Sequence, residues 1–424
     1  MTKLLQESSC RYKTLPVIDT MKRIELSSST EAYIWAPRVL AGAQLEEQTA
    51  ALLTIKGGLI ASVAHVPRGE LPGRITSHPG FYPLAEGTIL LPALIDAHVH
   101  LSLDGESGQE RSRPDESGEA LLPRVRRHWE AYDACGIGAV RDGGDRAMAG
   151  LRLRRLLAEE GASGPWIVAA GQAIYKQGGY GSFLGPGCSS MEEIFASLQR
   201  LAAAGVDQGK ILLSGIVSFE EYGRVERSRW TLEELKAVVR EGHRLGLRMM
   251  AHASSAEAVE LALRAGVDSI EHGYFITGEQ LREMGARRIA WIPTIIPVAV
   301  QARNPLSRCR PGRRAIISRI YREQMAKLSL ALQEGVSLGV GTDAGAPGVR
   351  HGESLLEEML LYRRAGLTNR AILQAATATN ASILGLDRHG MGTLKTGRKP
   401  RLIGVAGNPL AALEALKKVD YYFY

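Results

Sequence analysis

From Ala93 onward the chain alternates short apolar runs with amphipathic helical stretches, and this alternation restricts the fold more than any other feature. The runs are ALIDAHVHL (93–101), GAVRD (138–142), WIVAAG (166–171), KILLSG (210–215), RMMAH (248–252), SIEHG (269–273), AWIPT (290–294) and LGVGTD (338–343). Each is of strand length, and stretches such as 190–205, 231–246 and 255–266 between them show helical periodicity and end at Gly, the residue that best accepts the left-handed C′ position. Strands regularly separated by helices build a parallel sheet. Eight such units over residues 91–389 predict an α/β fold of the (β/α)8 TIM-barrel kind.

The flanks read differently. Residues 1–30 are largely polar, with IELSSST over Ile24–Thr30, and are expected to form an extension. Residues 31–90 are strand and turn in texture, with AYIWAPRVLAG, ALLTIKGGLIASVAHV and GTILL separated by Gly and Pro. The tail from Gly390 returns to turns and strand. Residues 31–90 together with 390–424 are therefore expected to make a small β-sandwich domain from both chain ends.

Composition narrows the functional classes. With 424 residues, 45% hydrophobic and 23% charged, the chain is neither disordered, collagenous nor a coiled coil. Its four cysteines, Cys10, Cys135, Cys188 and Cys309, are too scattered for a disulfide framework or a Cys-based zinc knuckle. The net charge of +7 is spread without a polybasic tract, so no nucleic-acid partner is expected. No signal-peptide core or membrane-length apolar run is present, which predicts a cytoplasmic protein with no membrane partner.

Polar residues mark one end of the predicted strands. His98 and His100 are two apart on a strand, so both side chains point to one face. His252 closes the fifth run, His272 the sixth and Asp343 the eighth, while Lys210 opens the fourth. Taken singly, each is readable as a satisfied polar group. Together they place four of the ten histidines, an Asp and a Lys at the carboxyl ends of barrel strands, where active sites of that fold lie.

This pattern resembles the amidohydrolase superfamily, specifically its binuclear branch with a carbamylated lysine. The surrounding text resembles it too: LLPALIDAHVHL, AVRDGG, SAEAVELALRAGVDSIEHG, GTDAGAPGVRHGESLLEEM and AILQAATATNASILGL, over about Leu52 to Leu413. The texture is similar to prolidase-like metal-dependent dipeptidases and carboxypeptidases of that superfamily. The resemblance implies two divalent ions, expected to be zinc. His98, His100 and Asp343 would hold the first, His252 and His272 the second, and Lys210 would bridge them as an N6-carboxy-lysine. It further implies a hydroxide shared by the ions as nucleophile, with Asp343 as the catalytic proton carrier. The related deaminases place a Glu three residues after the strand-five histidine; here that position is Ser255, so deamination is disfavoured.

Departures from the pattern concern the substrate. Where prolidase-like relatives often carry GGHG, this chain has Gly178-Gly179-Tyr180-Gly181. Tyr274 after His272 suits either a hydrogen bond to substrate or a buried ring at the rim. His351, Tyr180 and Tyr274 are candidate substrate contacts. Arginines crowd the expected loops: Arg224, Arg227 and Arg229 after the fourth strand, Arg303, Arg308, Arg310, Arg313 and Arg314 after the seventh, Arg350 after the eighth. Any of them can clamp a carboxylate in bidentate fashion, and any can be solvated surface charge. The reading is a hydrolase of an amide bond in a small-molecule dipeptide or N-acyl amino acid, working as a homo-oligomer. Cyclic amides, lactones, carbamates or phosphoesters are the alternative substrates, and a non-catalytic scaffold is the rival of another class.

Overall fold

A pair of glycines sets the first long hairpin. In the computed structural model, which describes residues 21–26, 31–105, 118–303 and 311–424, Gly57 and Gly58 have φ of +60° and +71°. Two positive-φ residues in succession form the tight turn that matches strand twist. The strands in this half are β1 (Lys22–Ile24), β2 (Ala32–Ala41), β3 (Glu46–Lys56), β4 (Leu59–His65), β5 (Phe81–Pro83) and β6 (Thr88–Pro92). After them come β7 (Leu94–Val99), β8 (Ile137–Asp142), β9 (Trp166–Ala169), β10 (Ala173–Ile174), β11 (Gln208–Leu212), β12 (Arg248–Ala253), β13 (Ser269–His272) and β14 (Ala290–Ile292). The last two are β15 (Leu402–Ala406) and β16 (Val419–Phe423).

Both chain ends enter one mixed sheet, in the order β1-β16-β15-β6-β2-β3-β4, with β5 beside β2. Ile34, Ala36, Val39, Leu53, Ile55, Leu90, Leu402 and Phe423 form a core of its own within it. Leu91, Ile403, Val405 and Tyr422 instead join the main core. The expected polar extension falls mostly outside the described residues. Its described part differs from expectation, because Lys22–Ile24 is a strand running parallel to β16, Lys22 opposite Tyr421.

The fold is α/β. Strands β7 to β14 lie in two parallel arrays, β7-β8-β9 and β10-β11-β12-β13-β14. Seven of the predicted strand cores overlap these strands, whereas the eighth, 338–343, is not a regular strand. Its backbone nevertheless bonds to both sides. Trp291 N donates to Ser337 O at 3.0 Å and Gly339 N to Trp291 O at 2.9 Å; Ala97 N donates to Val340 O at 2.9 Å and Asp343 N to His98 O at 2.7 Å. Gly341 makes the approach to β7 possible, since a Cβ there would sit 2.8 Å from His98 N. Asp343 then turns to φ +56°, which ends any regular ladder.

The helices start and stop where side chains dictate. Ser190, Thr231 and Ser255 accept backbone N–H groups at the starts of Met191–Ala203, Leu232–Arg244 and Ala256–Ala265. The expected terminal glycines, Gly205, Gly246 and Gly266, all have positive φ, near +80°. Among the described residues no helix is long and apolar enough to cross a membrane.

Candidate metal centre

The strand alternation that puts His98 and His100 on one face holds in the structure, and both side chains are buried. His98 Nε2 lies 3.7 Å and His100 Nε2 3.6 Å from Asp343 Oδ1. Ligand atoms of His98, His100 and Asp343 all fall within 4.8 Å of one another. Lys210 Nζ sits 3.3 Å from His98 Nε2. His272 brings its ring centroid to 5.0 Å from that of His98 and 4.6 Å from that of His252. The six residues expected to meet do meet, from β7, β11, β12, β13 and the 337–344 segment.

Each imidazole has one nitrogen engaged and one turned inward. His100 Nδ1 donates to Gly144 O at 3.1 Å and His252 Nε2 to Gly215 O at 3.2 Å. A carbonyl oxygen only accepts, so these bonds fix the tautomers. His272 Nδ1 meets Thr294 Oγ1 at 2.7 Å, and His98 Nδ1 meets Glu271 Oε2 at 2.6 Å. Nε2 of His98 and His100 and Nδ1 of His252 are left as lone-pair donors, while the Thr294 hydroxyl can either donate to or accept from His272 Nδ1. Four imidazoles, a carboxylate and a buried amine suit borderline divalent ions, so the residues present fit a metal centre.

Local backbone strain shapes the site. His272, Thr294 and Asp343 have φ of +68°, +46° and +56°. For a β-branched Thr this is a true outlier, of the kind that concentrates at functional sites. The turn at His272 also breaks strand alternation. Neighbours on a regular strand face opposite sides, yet Glu271 and His272 both touch His98.

The electrostatics favour metal ligation. Burial, with the Lys210 ammonium second, holds His100 and His252 down at about 3, and burial holds His98 and His272 well below the usual imidazole range. The rings therefore keep their lone pairs at neutral pH. Burial lowers Lys210 to about 8, against the opposing pull of Glu271 and Asp343. Burial likewise raises Asp343 to about 7, with Lys210 opposing.

Sequence reasoning missed four buried residues of this site. Glu271 is fully buried, and both of its oxygens accept from Nη2 of the equally buried Arg141 at 2.8 Å. Thr294 holds His272. Asp96 accepts from Thr342 Oγ1 at 2.7 Å and so steadies the segment that carries Asp343. Their signals, the Glu in SIEHG and the Arg in AVRDGG, were present as text without a direction.

The proposed substrate contacts divide. Tyr180 stacks on His252 at 5.4 Å between ring centroids, and Tyr274 on His272 at 5.7 Å. Tyr274 is buried, as are the histidines it adjoins. His351 is turned to other work: its Nε2 donates to Leu103 O at 2.7 Å, its Nδ1 pairs with Tyr132 OH at 3.1 Å, and it stacks on His128 at 4.0 Å. Of the loop arginines, Arg224, Arg303, Arg313 and Arg350 pair with surface glutamates. Arg227 and Arg229 line a pocket with Tyr180, Ser214, Gly215 and Glu226, where Arg229 also pairs with Glu226 at 3.8 Å and Gly215 O is the partner of His252 Nε2. Arg308 and Arg310 lie outside the described residues.

The family model described as Amidohydrolase family matches residues 89–423. Ochratoxinase of Aspergillus niger is 23% identical over 401 residues, covering 87% of this chain and 80% of that protein. An uncharacterized protein of Mycobacterium tuberculosis is 27% identical over 314 residues, covering 72% of this chain and 77% of that one. In fold, the chain is similar to a crystal structure of a Xaa-Pro dipeptidase with bound methionine in its active site. The TM-score is 0.79 at 24% identity, with 92% of this chain and 97% of that chain covered.

Proposed function

The chain belongs to the amidohydrolase family, and on that premise we propose that it is a metal-dependent hydrolase of an amide bond in a dipeptide or N-acyl amino acid. The observation that carries the proposal is the meeting of four neutral imidazoles, Asp343 and a buried lysine at one point. In this reading the two parallel arrays form one (β/α)8 barrel, joined through residues 337–344, and the mixed sheet is a small β-sandwich domain of residues 31–90 and 390–424. The backbone bonds from Trp291 to Gly339 and from Ala97 to Val340 support the closure. A cytoplasmic homo-oligomer completes the reading.

His98, His100 and Asp343 would hold one divalent ion, most simply zinc, and His252 and His272 a second. Lys210 would bridge them as a carbamate. Such an ion pair, when bound, polarises a carbonyl and brings the pKa of water down to roughly 7. The chain's own residues do the rest. Lys210, lowered to about 8 by burial, offers a neutral amine that adds to CO2 and releases a proton. Asp343 Oδ1 takes a proton from the attacking water and passes it to the leaving nitrogen. Arg227 and Arg229, with Tyr180, would orient a carboxylate in the pocket they line. His351, with both ring nitrogens engaged, supports loops instead.

The test is turnover of a dipeptide and N-acyl amino acid library, with divalent metal and bicarbonate supplied. Hydrolysis of members of this library is expected. Cleavage confined to lactones, carbamates or phosphoesters would overturn the substrate class.

A further inference from the structure

Three of the four inward-facing histidines rest their outer nitrogen on a neutral oxygen: Gly144 O, Gly215 O and Thr294 Oγ1. His98 alone among the four rests on a carboxylate, Glu271 Oε2, at 2.6 Å. That carboxylate is itself elaborately held. Arg141 NH2 donates to both of its oxygens at 2.8 Å, and Ser269 Oγ to Oε1 at 2.6 Å. Arg141 is buried too, and is anchored by Ala97 O through Nε and by Ser269 Oγ through NH1 at 3.0 Å.

Stability does not explain this assembly. A buried ion pair usually does no better than apolar side chains of the same volume, because both charges lose their water. Its direction does explain it. With Arg141 and Ser269 donating to it, the Glu271 carboxylate has only acceptor capacity left for His98. The proton between them must therefore sit on His98 Nδ1, which leaves the Nε2 lone pair facing Asp343 and Lys210. The opposite tautomer would put N–H where a metal must bind. A carboxylate behind an imidazole also raises its basicity as a ligand.

We propose that Glu271, held by Arg141, is a positioning residue that fixes His98 as the Nδ1–H tautomer and so commits Nε2 to a metal ion. The proposal rests on the metal-centre reading for its purpose, but its structural content stands without metal. The φ of +68° at His272 turns that residue toward the same ring that the adjacent Glu271 holds.

Two measurements test it. In metal-stripped parent protein labelled with 15N-histidine, a long-range proton–nitrogen correlation spectrum reports which nitrogen of His98 carries the proton, with His98→Asn identifying the signal. Nδ1 protonated and Nε2 bare is expected; a proton on Nε2 overturns the proposal. Competition with a chelator then compares parent and Glu271→Gln. Affinity for one ion should fall roughly 10–100-fold while the other stays near the parent value. Unchanged affinity for both ions overturns the positioning role. A parent that takes up no metal defeats the metal-centre reading instead, while the position of the proton on His98 still decides the assignment of Glu271, even if Glu271→Gln does not fold.

Discussion

Lys210 shows how much a residue's chemistry depends on its burial. An exposed lysine near its ordinary value of about 10.4 is neutral in well under 1% of molecules at pH 8. Lowered to about 8, the buried Lys210 is neutral in about half of them at that pH. Only the neutral amine captures CO2. We predict that Lys210→Ala loses turnover and bound metal together, and that short carboxylic acids such as acetate restore part of both. Near-parent turnover with full metal would reduce Lys210 to a buried strand lysine. The residue types of this centre were legible in the sequence because His98 and His100 obey period-two alternation, His252, His272 and Asp343 close predicted strands and Lys210 opens one. Glu271 and Thr294 were not, because Glu271 meets His98 only through a contact between residues 173 apart in the chain, and Thr294 holds a positive φ that no local pattern announces.

The elements show the same division. Seven strand cores were legible from apolar runs, whereas 338–343 is irregular because it must pass close to His98 N and turn at Asp343. The loops were least legible. His351 reads as a functional histidine beside the eighth strand, yet it ties the 101–105 loop to helix Gly118–Ala134 through Leu103 O, Tyr132 and His128. Burial, with His128 second, pushes it down to about 3. A depressed histidine contributes stability that is whole above its unfolded value of about 6.5 and is lost as pH falls toward the folded value. At pH 5 that loss is about 2 kcal/mol. Glutamine can donate to Leu103 O and accept from Tyr132 without titrating. His351→Gln should therefore shrink the drop in unfolding free energy between pH 7 and pH 5 by about 2 kcal/mol, measured by urea denaturation. An unchanged drop would show that His351 does not carry this acid sensitivity.

For the molecule as a whole, the family and the α/β architecture follow from the motifs, while the proposed substrate recognition rests on the loop arginines. Arg224, Arg229, Arg303, Arg313 and Arg350 pair with glutamates, and Arg227 and Arg229 line the pocket with Tyr180. A carboxylate held there is positioned as well as bound. A dipeptide should therefore exceed its C-terminal amide in kcat as well as in affinity, and equal kcat/KM for the two would remove the carboxylate from recognition. The hydrolytic expectations depend on a centre that holds two ions. Four imidazoles, Asp343 and Lys210 are more ligands than one tetrahedral ion accepts. Elemental analysis of protein purified with divalent metal and bicarbonate should give two ions per chain, falling in Lys210→Ala. A stoichiometry that stays at one in the parent, under saturating metal, would contradict the binuclear centre.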